Sequence, residues 1–340
     1  MAVPAIEEAP RRPTRSGGII LVTISSLGYS GKPGVDRDET MGPTIFADDD
    51  AILVLDVGGG HVSAAAVSLS DTAFRIDRRT ELPLDSSAGR DAILATLSRS
   101  MEAARRGGVT RCVAAMPGPF DYALGSGRFE GIGKFDALAG LDLRATLAGR
   151  LGIGPADVSF VNDAVAYGIG EWAFGAGRRT DRMVCLTLGT GVGSAFLNAG
   201  SSVAEGRAVP LRGEAHTVEF DGSPLETTVS TAAIRRAYTA STGTTCTVEE
   251  IFTRARTGDE TAHTLVTSTM LALGHAMGPW IRSFGATTTV VGGAMSRSWD
   301  LIESPLQAGL QAAGAVSTLR PAALLDDAPL VGAAVWAARP

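Results

Sequence analysis

Two acids stand at the ends of apolar runs. Asp56 closes Ala51-Ile-Leu-Val-Leu, and Asp163 follows Val158-Ser-Phe-Val-Asn162. A carboxylate at a strand end can hold Mg²⁺, directly or through water; it can also simply cap the turn that follows. Asp163 opens a stretch with helical spacing, Ala164–Trp172, so an N-cap role is the plain alternative there. Two Gly-rich turns interrupt apolar runs: Val57-Gly-Gly-Gly60 beside Asp56, and Leu188-Gly-Thr-Gly-Val-Gly193. Gly58 and Gly59 would admit phosphate oxygens. Gly189, Gly191 and Gly193 are expected to take φ > 0 and come close to a ligand. Successive bare N–H groups in such turns suit an anion, and Thr190 adds a hydroxyl. A plain hairpin turn is the competing reading for either loop alone.

Strands and helices must position these groups. Apolar runs predict strands at 51–56, 62–67, 111–116 and 158–163, with a hairpin over 183–197. A more polar strand is expected at 74–82, and another opens the stretch 287–296. Helical spacing covers 91–106, 138–151, 164–172, 230–239, 263–284 and 328–338, and Thr247-Val-Glu-Glu250 reads as a capping box. Pro117-Gly-Pro-Phe-Asp121 leaves the strand at 111–116 at its carboxyl end, the edge where open α/β sheets bind ligands. Lys134 lies in a Gly-rich loop and either faces the site or is solvated.

The chain of 340 residues allows two domains sharing a cleft. Apolar residues at 45% and charged residues at 19% are ordinary for a globular enzyme. A net charge of −6, with no basic patch interleaved with aromatics, argues against nucleic acid. Cys112, Cys185 and Cys246 are odd in number and widely spaced, which fits neither a disulfide framework nor a zinc pattern. A reducing, cytoplasmic setting is expected. Residues 1–48 read as a mostly disordered tail, with Met41 a possible true start. The run Gly17–Leu27 superficially resembles a signal peptide after Arg11, Arg12 and Arg15. Glu7 and Glu8 spoil that pattern, and the run is too short to span a bilayer.

Four motifs occur in one order: Asp56-Val-Gly-Gly, Val161-Asn-Asp-Ala-Val-Ala, Leu188-Gly-Thr-Gly-Val-Gly and Val291-Gly-Gly-Ala-Met-Ser. Together they resemble the ROK family (repressor, open reading frame, kinase) over roughly 51–338. The resemblance implies an α/β chain of the actin-like ATPase (ribonuclease H-like) fold, with two domains around a cleft. These would be 49–163 and 164–340, the last helix being free to pack back on the first. It implies Asp163 as general base, and Asn162, Asp163, Glu214, His216 and Glu226 as sugar ligands. ATP would lie on Asp56, Gly58, Gly59, Gly189, Thr190, Gly191, Gly193, Gly292 and Gly293, with Asp56 on Mg²⁺ directly or through water. Pro117-Gly-Pro-Phe-Asp and Gly133-Lys-Phe-Asp-Ala-Leu look like glucokinase-type members.

Departures from the family pattern bear on function. Gly60 replaces the usual Thr, so a hydroxyl is missing, and Thr190 is available to compensate in part. Glu-x-x-His is shortened to Glu214-Ala-His216. No cysteine lies between His216 and Glu226, so the family's zinc loop is absent and zinc is not expected. Residues 1–50 lack the amphipathic pattern of the helix-turn-helix that repressor members carry. The resulting expectation is an ATP-dependent kinase acting on the 6-hydroxyl of a hexose or amino-hexose. Glucose is the family default; kanosamine, accepted by related kinases of antibiotic pathways, is a candidate. A non-catalytic sugar-binding regulator is the alternative. A homodimer is expected, with no membrane partner.

Overall fold

The first strand, β1 (Ile52–Val57), is apolar apart from Asp56, so both its faces need cover. It lies at the centre of a five-stranded sheet. With β2 (His61–Leu69), β3 (Phe74–Pro83), β4 (Cys112–Met116) and β5 (Val158–Asn162), the order is β3-β2-β1-β4-β5. The β1–β2 and β2–β3 pairs are antiparallel; β1–β4 and β4–β5 are parallel. The second sheet repeats this plan. Its strands are β6 (Arg182–Leu188), β7 (Val192–Asn198), β8 (Ser201–Ser202), β9 (Thr288–Gly292) and β10 (Thr318–Pro321), in the order β8-β7-β6-β9-β10. The structure, a computed structural model, describes residues 51–131 and 133–339. The tail and the alternative start at Met41 lie outside the described residues.

Helices α1 (Arg90–Ala104) and α2 (Leu143–Leu151) cover the outer face of the first sheet through Ile93, Leu97, Met101, Leu143 and Leu147. Next come α3 (Asp163–Phe174), α4 (Glu226–Val229), α5 (Thr231–Thr242), α6 (Val248–Arg256), α7 (Glu260–Phe284), α8 (Trp299–Ala312) and α9 (Ala328–Ala337). The core on the outer face of the second sheet draws on α5 through α8. Between the sheets lie α3 and α9. Leu330, Ala333 and Ala334 of α9 pack on Ile52, Val54 and Val113 of the first sheet. Tyr167 and Ile169 of α3, with Ala328, pack on Met183, Cys185 and Val290 of the second. The two helices touch through glycine: a methyl group at Gly332 would overlap Ala166 O, and one at Gly170 would overlap Ala328 O.

The helix expected over 138–151 begins late. Gly140 takes φ 67°, which breaks the helical path, and Asp142 caps α2 by accepting from Ala145 N at 2.8 Å. The capping box at Thr247 and Glu250 forms in full. Among the described residues no helix is long and apolar enough to cross a membrane.

Candidate active site

Asp56 sits near the carboxyl end of β1, level with Ala115 of β4. Asn162 ends β5 and Asp163 begins α3, so both acids reach the same edge of the first sheet. The cap of α3 is made by Asn162. Its Oδ1 accepts from Val165 N at 3.0 Å, and its Nδ2 donates to Tyr122 Oη at 3.0 Å. Tyr122 Oη in turn donates to Met116 O at 3.2 Å, which ties Asn162 to the end of β4. Asp163 accepts only the neighbouring Ala164 N–H, at 2.8 Å on Oδ1. The N-cap alternative for Asp163 is therefore displaced by one residue.

Both carboxylates are partly buried and hold their protons more tightly than usual. Lost hydration and the nearby Asp163 charge push Asp56 up to about 7, against a counteracting Arg79. Lost hydration also raises Asp163; Glu214 adds to this, while backbone hydrogen bonds and His216 oppose it. A base with a raised pKa takes a hydroxyl proton more readily at neutral pH.

Glu214 and His216 approach from the segment after β8. Glu214 Oε2 is 2.9 Å from Arg212 Nη2 and 3.5 Å from His216 Nε2. Its Oε1 faces the 117–122 loop: a methyl group at Gly118 would lie 3.8 Å from Oε1 and 3.9 Å from Tyr122 Oη. Asn162, Asp163, Glu214 and His216 thus share one cluster, with Tyr122 and Arg212 as members that sequence reasoning missed. Tyr122 is only one residue beyond the loop motif, and Arg212 lies in the same short segment as Glu214. Glu226 is the first residue of α4 and lies against the second Gly-rich turn, where a methyl group at Gly191 would overlap its Oε1.

The glycines of that turn are needed for a reason other than φ. Gly189, Gly191 and Gly193 do not take positive φ. At Gly191 the constraint is the Glu226 carboxylate; at Gly193 it is Thr187 Oγ1 and, 2.8 Å from a built Cβ, the Ala164 methyl. Gly189 faces open space, and its carbonyl is held by Thr231 N at 3.0 Å and Thr231 Oγ1 at 2.7 Å. Thr190 is exposed at the tip. Gly292 and Gly293 turn their Cα hydrogens toward protein: Tyr167 packs on the first and the Leu188 backbone on the second. At Gly58, the N–H donates to His61 O at 2.9 Å, which closes the first turn.

No group of three or more His, Cys, Asp or Glu side chains able to hold a metal occurs among the described residues. The three cysteines are buried apart from one another, and the segment from His216 to Glu226 folds as a hairpin, Glu219–Phe220 on Ser223–Pro224. Its turn is Asp221-Gly222, with φ of 51° and 72°, the two-residue form that suits the twist of paired strands. That donor set does not suit zinc. Asp56 stands apart from that set and could offer one carboxylate of the kind that binds Mg²⁺ together with substrate phosphates. A cavity of about 560 Å³ beside Arg111, Ser159, Ser202 and Arg339 lies at the opposite, amino-terminal ends of β4 and β5.

Two sheets with the same strand order, with α3 and α9 between them, make the actin-like ATPase fold. The ROK family model matches residues 52–339, and the chain belongs to that family. It is 30% identical over 216 residues to a glucokinase of Thermotoga maritima, a match covering 56% of this chain and 66% of that protein, just under two thirds. The ROK family glucokinase of Streptomyces griseus, solved with glucose and AMPPNP, superposes with a TM-score of 0.70 at 20% identity, over 84% of this chain and 98% of that one. A ROK hexokinase from Thermus thermophilus gives 0.67 at 23% identity, over 84% and 97%.

Proposed function

We propose that the chain is an ATP-dependent kinase that phosphorylates the 6-hydroxyl of a hexose or amino-hexose. One observation carries this reading. Asp163 is released from capping and lies among Asn162, Glu214 and His216, on the same sheet edge as Asp56 and its Gly-rich turn. The glucokinase relative supports a sugar as acceptor, and the complex of the Streptomyces griseus protein supports a nucleoside triphosphate as donor.

In this mechanism Asp163 accepts the proton of the sugar hydroxyl as its oxygen attacks the terminal phosphorus. Asn162, Glu214, His216 and Glu226 bond the remaining hydroxyls; a sugar lacking a partner would leave these groups unpaired, which gives selectivity. The turns at 57–60 and 189–193, with Thr190, hold the phosphates, and Gly292-Gly293 lies beside the nucleoside. Asp56 would hold Mg²⁺, which when bound would help neutralise the phosphate charge. The lobes 49–163 and 164–340 close on the substrates, and the working assembly is a homodimer, which light scattering after gel filtration tests. An ATP-consumption screen over glucose, mannose, glucosamine, N-acetylated hexosamines and kanosamine tests the activity. Turnover with one or more of them supports a kinase; sugar binding without turnover supports a regulator.

A further inference from the structure

The first phosphate turn is poor in donors of its own. Gly58, Gly59 and Gly60 carry no side chains, and the Gly58 N–H is already engaged by His61 O. Two other loops bring polar groups to it. A methyl group at Gly59 would lie 3.7 Å from Lys134 Cδ, 3.8 Å from Lys134 Cε and 3.9 Å from Ser86 Oγ. Ser86 is 8% exposed, yet its hydroxyl forms no hydrogen bond among the described residues. The Ser86 oxygen keeps contact with solvent beside the turn, so it is open to a ligand that enters there.

Backbone hydrogen bonds tie described residues of both loops to the turn and to each other, and the Lys134 side chain is exposed. Leu84 N donates to Gly60 O at 3.0 Å, which joins the Ser86 loop to the turn. Phe135 N donates to Ser86 O at 2.6 Å, which joins the Lys134 loop to Ser86. Phe135 is buried against Phe129, ring centroids 5.5 Å apart, and Gly133 N donates to Asp136 Oδ1 at 3.0 Å. Composition adds an independent signal. Of the 30 basic residues only Lys32 and Lys134 are lysine; the other 28 are arginine. Among the described residues the one lysine therefore lies at the phosphate turn. An ammonium is a compact point charge with three donors, suited to a phosphate approached end-on, whereas a guanidinium presents a wide planar fork.

We propose that Ser86 and Lys134 complete the first phosphate turn: the Ser86 hydroxyl and the Lys134 ammonium bind the terminal phosphate of a nucleoside triphosphate. This rests on the kinase reading above. During transfer the sugar oxygen bonds to the terminal phosphorus, and the bond from that phosphorus to the bridging oxygen breaks. The electron pair stays on the diphosphate, and the hydroxyl proton goes to Asp163. Lys134 gives up no proton; it offsets the charge spread over the transferring oxygens.

The test compares wild type with K134A, K134R and S86A, by calorimetric titration of ATP and of ADP and by steady-state turnover with varied ATP. K134A is expected to lose about tenfold or more in ATP affinity, as suits one charge-assisted phosphate contact. ADP affinity should stay within about twofold and kcat should fall. K134R should recover part of the loss, and S86A should raise KM for ATP a few-fold. Acylation of wild-type Lys134, mapped by peptide mass spectrometry, should be blocked by ATP and not by ADP; this reading does not depend on any variant folding. Wild-type turnover with an unchanged ATP-to-ADP preference in K134A overturns the inference and leaves the kinase reading standing. A wild-type protein that binds neither nucleotide and phosphorylates no sugar overturns both.

Discussion

Asn162 and Asp163 are neighbours with divided duties: Asn162 Oδ1 caps α3 through Val165 N at 3.0 Å, while Asp163 takes up only the Ala164 N–H at 2.8 Å. The division predicts opposite phenotypes. N162A should lower stability by about 1 kcal/mol, the usual worth of a cap, and weaken sugar binding. N162D keeps a capping oxygen and should restore most of the stability, though not the amide N–H that donates to Tyr122 Oη. D163N should leave the melting temperature unchanged or raised, since it removes a carboxylate that burial disfavours. Calorimetry of the three variants checks this; a melting temperature in D163N as low as that of N162A would contradict the division.

Asp56 links stability to pH. Its carboxyl is held near 7 in the folded chain, above its ordinary value of 3.8, chiefly by lost hydration. The folded state therefore binds this proton more tightly than the unfolded state. Its contribution is fully present below about pH 4 and fades as pH rises through 7. The ligand-free protein should thus lose stability from about pH 4 to about pH 7 through this group and level off above that, and D56N should not show that loss. One pKa unit corresponds to about 1.4 kcal/mol, enough for a readable difference in melting temperature. Parallel pH profiles for wild type and D56N would refute the assignment.

Arg212 pairs with Glu214 and Tyr122 with Asn162, two groups proposed to bind the sugar, and neither belongs to the proposed reacting set. Y122F removes the hydroxyl between Asn162 and Met116 O and leaves a half-buried amide donor without its protein partner, a loss of about 1 kcal/mol. It should appear in KM for sugar more than in kcat. R212A frees Glu214 from a pair that is more than half exposed on the arginine side, so a KM change of only a few-fold is expected. Steady-state kinetics with varied sugar checks both; a fall in kcat at constant KM would mean that these residues act on the transfer itself.

Gly170 and Gly332 set the spacing of α3 and α9. A methyl group at either would overlap a backbone oxygen of the other helix, so G332A should cost roughly 1–3 kcal/mol as an overpacked core does. Thermal unfolding reads the loss; G332A with wild-type stability would mean that the helices separate freely.

Much of this was legible in the residues. β1, β4 and β5 are apolar runs, and β1 and β5 bring Asp56 and Asn162-Asp163 to their carboxyl ends, so their burial and the common edge of these groups follow from pattern alone. What the sequence could not show is decided by distant contacts. The need for glycine at 191 and 193 comes from Glu226, Thr187 and Ala164, and nothing local distinguishes that from a positive-φ turn. Asn162 and Asp163 are both able caps, and only the backbone path at the end of β5 chooses between them. Lys134 read equally as solvated or facing the site, because its closeness to Gly59 depends on the Ser86 loop, far away in sequence. The shortened α2 could have been foreseen, since Gly140 followed by Asp142 is a break and then a cap.

The central claim is that Asp163 serves as base in phosphoryl transfer to a sugar. The most direct measurement is sugar-phosphate formation by wild type and D163N across the hexose and amino-hexose panel, with sugar affinity measured alongside. The account predicts turnover by wild type, a fall of about 10²-fold or more in D163N, and sugar binding that survives in the variant. Equal turnover in wild type and D163N would contradict it.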